Sequence, residues 1–146
     1  MAHSTAATGI RMAPAASALT EDYWRAAQEQ RLAIQRCRTC RRFVHFPEWR
    51  CPFCRGRKLG FEQVSGYGKV NTFTIVHRTV APGFTDRTPY VLAWVELAEQ
   101  PGLRAFGNVV GCPPSEVYIG LPVRVCFEEI SGFGLVPNFT PDRQEV

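Results

Sequence analysis

Two pairs of cysteines constrain this sequence more than any other feature. Each pair has the spacing Cys-x-x-Cys, and ten residues separate Cys40 from Cys51. Two residues between cysteines allow one tight turn to direct both thiolates at a single ion, and two such turns complete a tetrahedron around zinc. The sequence therefore predicts a zinc ribbon with four protein ligands, which are Cys37, Cys40, Cys51 and Cys54.

The predicted metal site is structural rather than catalytic. Four thiolates leave no coordination position for water or substrate. A redox-active pair is the alternative, but a thioredoxin-like motif has one Cys-x-x-Cys at the start of a helix within an α/β pattern. Here two pairs lie among β-type residues. His45 lies in the loop between the pairs and could compete for the metal, although four thiolates already suffice.

Basic residues are concentrated around these cysteines. Positions 36–58 contain eight of the 17 Lys and Arg residues and one acid, Glu48, so this segment has a side-chain charge of +7. The rest of the chain has nine basic and 12 acidic residues, a net charge of −3. Such a concentration indicates a phosphate, a nucleic acid or an acidic protein surface as partner. Alternatively, the arginines balance the negative charge of the metal–thiolate site.

The composition outside this segment favours a mainly β fold. Glycine (12) and proline (11) are frequent and 12% of the residues are aromatic, which is typical of short strands joined by turns. No run approaches the roughly 20 apolar residues that span a bilayer, and the N-terminus lacks the features of a signal peptide. We therefore expect a cytoplasmic protein whose six cysteines serve as metal ligands and buried thiols.

The sequence predicts a chain of four segments. These are a disordered tail (1–19), an N-terminal helix (20–36), the zinc ribbon (37–60) and a barrel domain (61–146). The tail is rich in small and polar residues that bury little surface. The helix is predicted over about residues 21–35, because Thr20 can cap it and its apolar residues recur at roughly helical spacing.

From residue 61 onward, short β-type runs alternate with turn residues. After a connector strand at 61–64, three strands precede a Pro-initiated helical turn at 113–118, and two strands follow it. This is the order of a five-stranded OB-fold barrel. The predicted barrel strands are 69–76, 90–97, 103–109, 122–129 and 135–139. Residues at alternate strand positions are predicted to fill the barrel: Phe73, Ile75, Val91, Ala93, Val95, Phe106, Val109, Val123, Val125 and Phe127.

The sequence predicts no catalytic residue. Cys112 and Cys126 lack a second cysteine at metal spacing and are interpreted as small buried residues rather than nucleophiles. His77 and Arg78 follow an apolar strand and could contact a phosphate or a partner. However, the sequence supplies no set of nucleophile, base and orienting group that catalysis would need.

Motifs in both halves of the chain resemble those of the family known as domain of unknown function thirty-five (DUF35). In the first half these are Tyr23-Trp24, the run CRTCRRFVHFP from Cys37, and the second cysteine pair. In the second half they are GKV from Gly68, TIVHR from Thr74, APGF from Ala81, GNVVGC from Gly107 and PNF from Pro137. The resemblance covers about residues 20–140. Arg41 and Arg55 depart from the pattern, because zinc knuckles often have glycine there.

The resemblance implies a fold and a role. Members of this family are similar in having a helical N-terminus, a rubredoxin-like zinc ribbon and an OB-fold, and they are typically encoded beside thiolase-like or lipid-transfer-protein-like enzymes. The resemblance implies that this chain is a non-catalytic subunit of a heteromeric thiolase-like or aldolase enzyme. Such an enzyme acts on CoA thioesters by C–C cleavage, condensation or acyl transfer. We expect the chain to stabilise its catalytic partner and to assist CoA-ester binding. The residues expected to contact the CoA phosphates are Arg41, Arg42, Arg57 and Lys58.

A module that binds single-stranded nucleic acid is the alternative, because OB-folds present aromatic side chains that stack on bases. Phe73, Trp94 and Phe106 could serve this purpose. Against it, basic residues are sparse on the predicted barrel strands, and Trp94 shares its strand with Glu96. A third class, an autonomous hydrolase or transferase, would require turnover of an acyl-CoA by the isolated chain. We expect no membrane partner.

Overall fold

The computed structural model of the protein describes residues 11–143. One α-helix and eight strands lie in this range, with a short 3₁₀ turn at Pro114–Glu116. The elements are α1 (Glu21–Gln28), β1 (Ala33–Cys37), β2 (Phe43–Val44), β3 (Leu59–Gln63), β4 (Tyr67–Val76), β5 (Tyr90–Leu97), β6 (Arg104–Val109), β7 (Pro122–Ile130) and β8 (Gly134–Pro141). No helix between residues 11 and 143 has the length and apolar character needed to cross a membrane.

The strands form two sheets, which confirms the predicted mainly β architecture. Strands β2, β1 and β3 form the ribbon, with β1 in the centre. Strands β4 to β8 form a closed barrel in the order β4-β5-β6-β8-β7, and β7 returns to pair with β4. Neighbouring barrel strands are antiparallel except β6 and β8, which are parallel through Val109 and Phe139. This is the predicted OB-fold barrel, and the predicted strand bounds are correct to within two residues.

The barrel core is built from alternate residues of its strands. In β5, Val91, Ala93 and Val95 are at most 1% exposed, as predicted. The prediction is wrong for Phe106, which is 46% exposed while Ala105 takes the interior position. Phe106 lies directly opposite Trp94 in the β5–β6 register. Because opposed residues share a face of the sheet, an outward Trp94 requires an outward Phe106.

The helix ends earlier than the sequence predicts. It spans Glu21–Gln28, and Gln30 follows with a φ of +56°, a left-handed conformation that terminates helices. The prediction of helix up to residue 35 is therefore wrong, because Ala33–Cys37 form β1. Strand β1 pairs on both edges and is buried on both faces, so its apolar residues are consecutive rather than alternating.

An arginine places part of the predicted tail against the barrel. Residues 1–10 lie outside the described residues. The guanidinium of Arg11 donates a 2.8 Å hydrogen bond to the carboxylate of Glu128 and lies 4.8 Å from the ring centroid of Phe84. Its side chain is only 12% exposed. The composition of the tail predicts disorder and did not indicate this contact, because the contact depends on one arginine side chain rather than on the average composition.

Two glutamine side chains join the helix and the ribbon to the barrel. The amide of Gln28 donates to the carbonyl of Leu135 (3.0 Å) and accepts from the same residue's N–H (2.9 Å). The amide of Gln100 forms an equivalent pair of hydrogen bonds with the backbone of Phe43: it donates to the carbonyl (3.0 Å) and accepts from the N–H (2.8 Å). Ile34 also belongs to the barrel's hydrophobic core. Helix, ribbon and barrel therefore share one packed interior.

Candidate metal centre and ribbon surface

The four cysteines of the ribbon converge on one point. Their Sγ atoms all lie within 4.8 Å of one another. The Sγ atoms of Cys37 and Cys54 are 3.6 Å apart, and those of Cys40 and Cys51 are 3.7 Å apart. A tetrahedral zinc with Zn–S bonds of about 2.3 Å places its sulfurs about 3.8 Å apart. The donor set and its spacing therefore fit one structural zinc ion.

Two equivalent turns position these thiols. The backbone N–H of Arg41 donates to the carbonyl of Cys37, and that of Arg55 donates to the carbonyl of Cys51, both at 2.9 Å. Arg41 and Arg55 have φ values of +66° and +67°. This left-handed conformation explains why knuckles often have glycine at these positions. Arg41 and Arg55 adopt the same turn geometry, at the cost of the backbone strain that a side chain causes in that conformation.

Replacing Arg55 with glycine is expected to strengthen zinc binding. Relief of the left-handed strain gains about 1–2 kcal/mol, and the extra freedom of glycine in the unfolded chain offsets about half of it. The zinc dissociation constant should fall by about two- to fivefold, as measured by competition with a chromophoric chelator. Arg50→Gly is the matched control, because it removes the same charge where φ is not positive. Equal affinities for the two variants would contradict this account of the turn.

The cysteine end of the ribbon has almost no core besides the cysteines themselves. Cys37 and Cys51 are fully buried and cluster with Val44, beside the partly buried Cys40 and Leu59. A hydrogen bond from the backbone of Cys40 lowers the pKa of Cys37, whereas burial and the neighbouring thiols raise the pKa of Cys54. Zinc binding requires both as thiolates. With so little apolar surface to bury, the ribbon depends on its metal for stability.

The four basic residues predicted to contact CoA phosphates all lie exposed at the cysteine end of the ribbon. The carbonyl of Arg42 accepts a hydrogen bond from Cys37, and that of Lys58 accepts one from Arg38. Arg42 and Lys58 therefore flank the central strand from opposite sides, about 10 Å apart for strands spaced by about 4.8 Å.

These four side chains differ in whether they are already engaged by other residues of the protein. Arg41 forms an ion pair with Glu62 at 3.3 Å, and Arg42 lies 4.7 Å from the ring centroid of Phe53. Arg57 and Lys58 form no ion pair with any residue in the range 11–143. The structure thus leaves two of the four predicted cations available to a ligand and partly engages the others.

Aromatic rings join the ribbon to the helix and the barrel. Phe46 and Trp49 of the ribbon loop are 60% and 70% exposed. His45 stacks on Tyr23 with ring centroids 5.7 Å apart. Phe46 follows His45 and contacts Trp94 of the barrel, with centroids 6.0 Å apart. No sequence pattern indicated that the ribbon loop reaches the outer face of β5.

Protonation of His45 is expected to destabilise the fold at mildly acidic pH. Its Nδ1 is buried without a partner among the described residues, and burial lowers its pKa to about 4 from an ordinary 6.5. Between these values the unfolded chain binds more protons than the folded chain. The contribution of neutral His45 to the free energy of unfolding is therefore fully present above pH 6.5. It is lost as the pH drops towards 4, by on the order of 3 kcal/mol in total.

The comparison of wild type with His45→Phe tests this assignment. Denaturant unfolding of both proteins at pH 7 and pH 5, with zinc content measured in each, isolates the contribution of the histidine. The wild type should lose more stability than the variant over this interval, since loss of zinc is common to both. Equal losses would show that His45 does not couple folding to pH.

Other candidate residues lie apart from the metal centre. Cys112 and Cys126 were predicted to be small buried residues, but both are only partly buried. Desolvation still raises the pKa of each, which disfavours the reactive thiolate. His77 and Arg78 are exposed just after the end of β4. A cavity of about 840 Å³ that the sequence did not predict lies on the barrel surface beside Lys69, Glu96 and Ile119.

Comparisons with known proteins match both modules. Residues 24–60 match the family model "ChsH2, rubredoxin-like zinc ribbon domain", and residues 61–128 match "ChsH2, C-terminal OB-fold domain". A DUF35 domain-containing scaffold protein of Methanocaldococcus jannaschii is 44% identical over 116 residues, which are 76% of this chain and 78% of the relative. The regions matched by the two family models include all four clustered cysteines and the barrel strands up to most of β7.

Two further similar proteins carry names that refer to enzymes. A probable enoyl-CoA hydratase alpha subunit of Thermomonospora curvata is 34% identical over 132 residues, 90% of this chain but 40% of the relative. This chain therefore spans less than half of that subunit. A solved chain of an "Ltp2-ChsH2(DUF35) aldolase" superposes with a TM-score of 0.80 at 34% identity, covering 88% of this chain and 98% of that chain.

Proposed function

Because the chain belongs to the DUF35 family of zinc-ribbon and OB-fold proteins, we propose that it is a non-catalytic subunit of a heteromeric thiolase-like enzyme acting on acyl-CoA thioesters. In this role it stabilises the catalytic subunit and assists binding of the CoA ester. The reaction carried out by the partner is C–C cleavage, condensation or acyl transfer. The partner supplies the catalytic residues, and the complex is a hetero-oligomer of the cytoplasm.

The observation that carries this proposal is the match to the aldolase chain over nearly its whole length. The name of that aldolase joins two proteins, and the matching hydratase is named as one subunit. The archaeal relative is named as a scaffold. These names support association with another protein and a connection to CoA thioesters.

The basic end of the ribbon supports a contact with the phosphates of CoA. Arg57 and Lys58 are exposed and lack ion-pair partners among residues 11–143, and Arg42 lies on the other side of the central strand. Arginine and lysine bind phosphate oxygens through charge-assisted hydrogen bonds. Arg41, Arg42, Arg57 and Lys58 are therefore the proposed phosphate contacts, with Arg41 also held by Glu62.

Charge reversal tests this contact. In the purified complex with a thiolase-like protein of the same organism, the double variant Arg57→Glu/Lys58→Glu should weaken acyl-CoA binding by at least about tenfold, since each charge-assisted contact contributes about 1.5–3 kcal/mol before screening. Arg31→Glu is the matched control, because Arg31 lies at the other end of β1 and pairs with Glu29. Unchanged assembly and unchanged CoA-ester affinity in the double variant would refute the assignment.

One observation favours the alternative of a nucleic-acid-binding module. The rings of Trp94 and Phe106 lie 5.1 Å apart on the outer face of β5 and β6, the face that OB-folds use to bind oligonucleotides. Phe73, the third predicted stacking residue, packs against the barrel core. Binding of single-stranded oligonucleotides that falls steeply with salt would support this alternative.

A further inference from the structure

Three aromatic side chains form a strip across the junction of ribbon and barrel. Phe46 comes from the loop after β2, Trp94 from β5 and Phe106 from β6. The ring centroids of Phe46 and Trp94 are 6.0 Å apart, and those of Trp94 and Phe106 are 5.1 Å apart. We call these three residues the aromatic strip. It is continuous although its members come from two modules.

The strip is exposed where a solvated sheet face would carry polar residues. Phe46 is 60% and Phe106 46% exposed, and Trp94 is partly covered by both. Trp49 and Phe53 of the same ribbon loop are 70% and 50% exposed. Contiguous exposed aromatic surface is uncommon on a monomer, and Phe, Trp and Arg are enriched where proteins bind one another. The strip therefore has the composition of a binding site for a macromolecule.

The ribbon that carries Phe46 is strongly positive, and its charge indicates what kind of surface covers the strip. Residues 36–58 carry a side-chain charge of +7, and a Zn(Cys)₄ site, with charge −2, leaves +5. Within the described part of the chain, the ion pairs of this segment are Arg36 and Arg41 with Glu62. A second copy of the chain seated symmetrically on the strip would bring two positive ribbons together, which costs free energy. An acidic surface would be attracted instead.

We propose that the aromatic strip is the docking site for the catalytic subunit, through an apolar patch of that subunit rimmed by Asp and Glu side chains. Phe46, Trp94 and Phe106 enter the apolar patch, and Arg50 and Arg55 of the ribbon face the acidic rim. The contact spans ribbon and barrel, so the partner binds only when the zinc-dependent ribbon is folded. This inference rests on the proposed function.

The test compares two double variants of the full-length chain, each co-expressed with a thiolase-like protein of the same organism. Phe46→Ser/Phe106→Ser removes two rings of the strip. Tyr118→Ser/Ile119→Ser is the matched control, because these side chains are 55% and 69% exposed in the loop before β7. Zinc content and thermal unfolding establish that both variants are folded. The strip variant should bind the thiolase-like protein at least about tenfold more weakly than wild type, and the control should bind normally.

The outcomes separate this inference from the proposed function. If wild type fails to bind the thiolase-like protein, both are overturned. If wild type and the strip variant bind equally, or if both double variants lose binding, the docking site is wrong while the proposed function stands. Light scattering that shows a wild-type dimer lost in the strip variant would assign the strip to a second copy. Loss of single-stranded oligonucleotide binding in that variant would assign it to nucleic acid, and either result overturns the proposal.

Discussion

Cys51→Ser is expected to abolish zinc binding and unfold the ribbon while the barrel remains folded. Cys51 is fully buried, and its Sγ lies 3.7 Å from that of Cys40. Zinc binding to such sites supplies on the order of 10 kcal/mol, which exceeds what the small cluster around Val44 can contribute. The barrel strands pair among themselves and should persist, with reduced stability because Ile34 and Phe43 leave their shared core.

Elemental analysis and NMR measure this result together. Wild type should contain one zinc per chain and the variant none, with dispersed amide signals lost from β1 to β3 and retained from β4 to β8. Cys126→Ser is the matched control, because Cys126 lies on β7 outside the four-cysteine group. A ribbon that stays folded without metal would contradict a structural role for zinc.

Phe139→Ala is expected to destabilise the barrel more than any other single truncation of its core. Phe139 is 1% exposed and is the largest fully buried side chain among residues 11–143. It pairs with Val125 of β7 and with Val109 of β6, so it lies where the last strand closes the barrel. Truncation of a buried phenylalanine costs about 3–5 kcal/mol, a large part of the 5–15 kcal/mol that stabilises a typical domain.

Phe106→Ala provides the contrast on the same barrel. Phe106 is 46% exposed and packs on one side against Trp94, so its loss should cost about 1 kcal/mol or less in denaturant unfolding. The two substitutions therefore separate folding from docking: Phe139→Ala should reduce stability, and Phe106→Ala should reduce partner binding. Similar losses of stability for both variants would contradict the assignment of inner and outer faces.

The elements that the sequence predicted well are those specified by local chemistry. The spacing of the four cysteines indicates zinc without reference to the rest of the fold, and the structure brings all four together. Strand β5 was predicted with its observed ends, Tyr90–Leu97, because its alternation is regular and turn residues precede and follow it. The order of strands then indicates an OB-fold barrel, which the structure and the family match confirm.

The elements that were missed depend on contacts distant in the chain. Strand β1 was predicted as helix because it is buried on both faces, in part against the barrel core, which removes the alternation that identifies strands. The outward position of Phe106 follows from its pairing with Trp94, which the sequence does not show. Arg11 was assigned to the tail because its partner Glu128 is 117 residues away. In each case tertiary contacts override the local pattern.

The most direct test of the account is to purify the tagged full-length chain from its native cells and to identify by mass spectrometry what co-elutes at stoichiometric ratio. A subunit of a thiolase-like enzyme should recover a thiolase-fold protein in a fixed ratio, and acyl-CoA turnover should be found in the complex. Recovery of the chain by itself, or with RNA, would contradict the proposed function and favour the nucleic-acid-binding alternative.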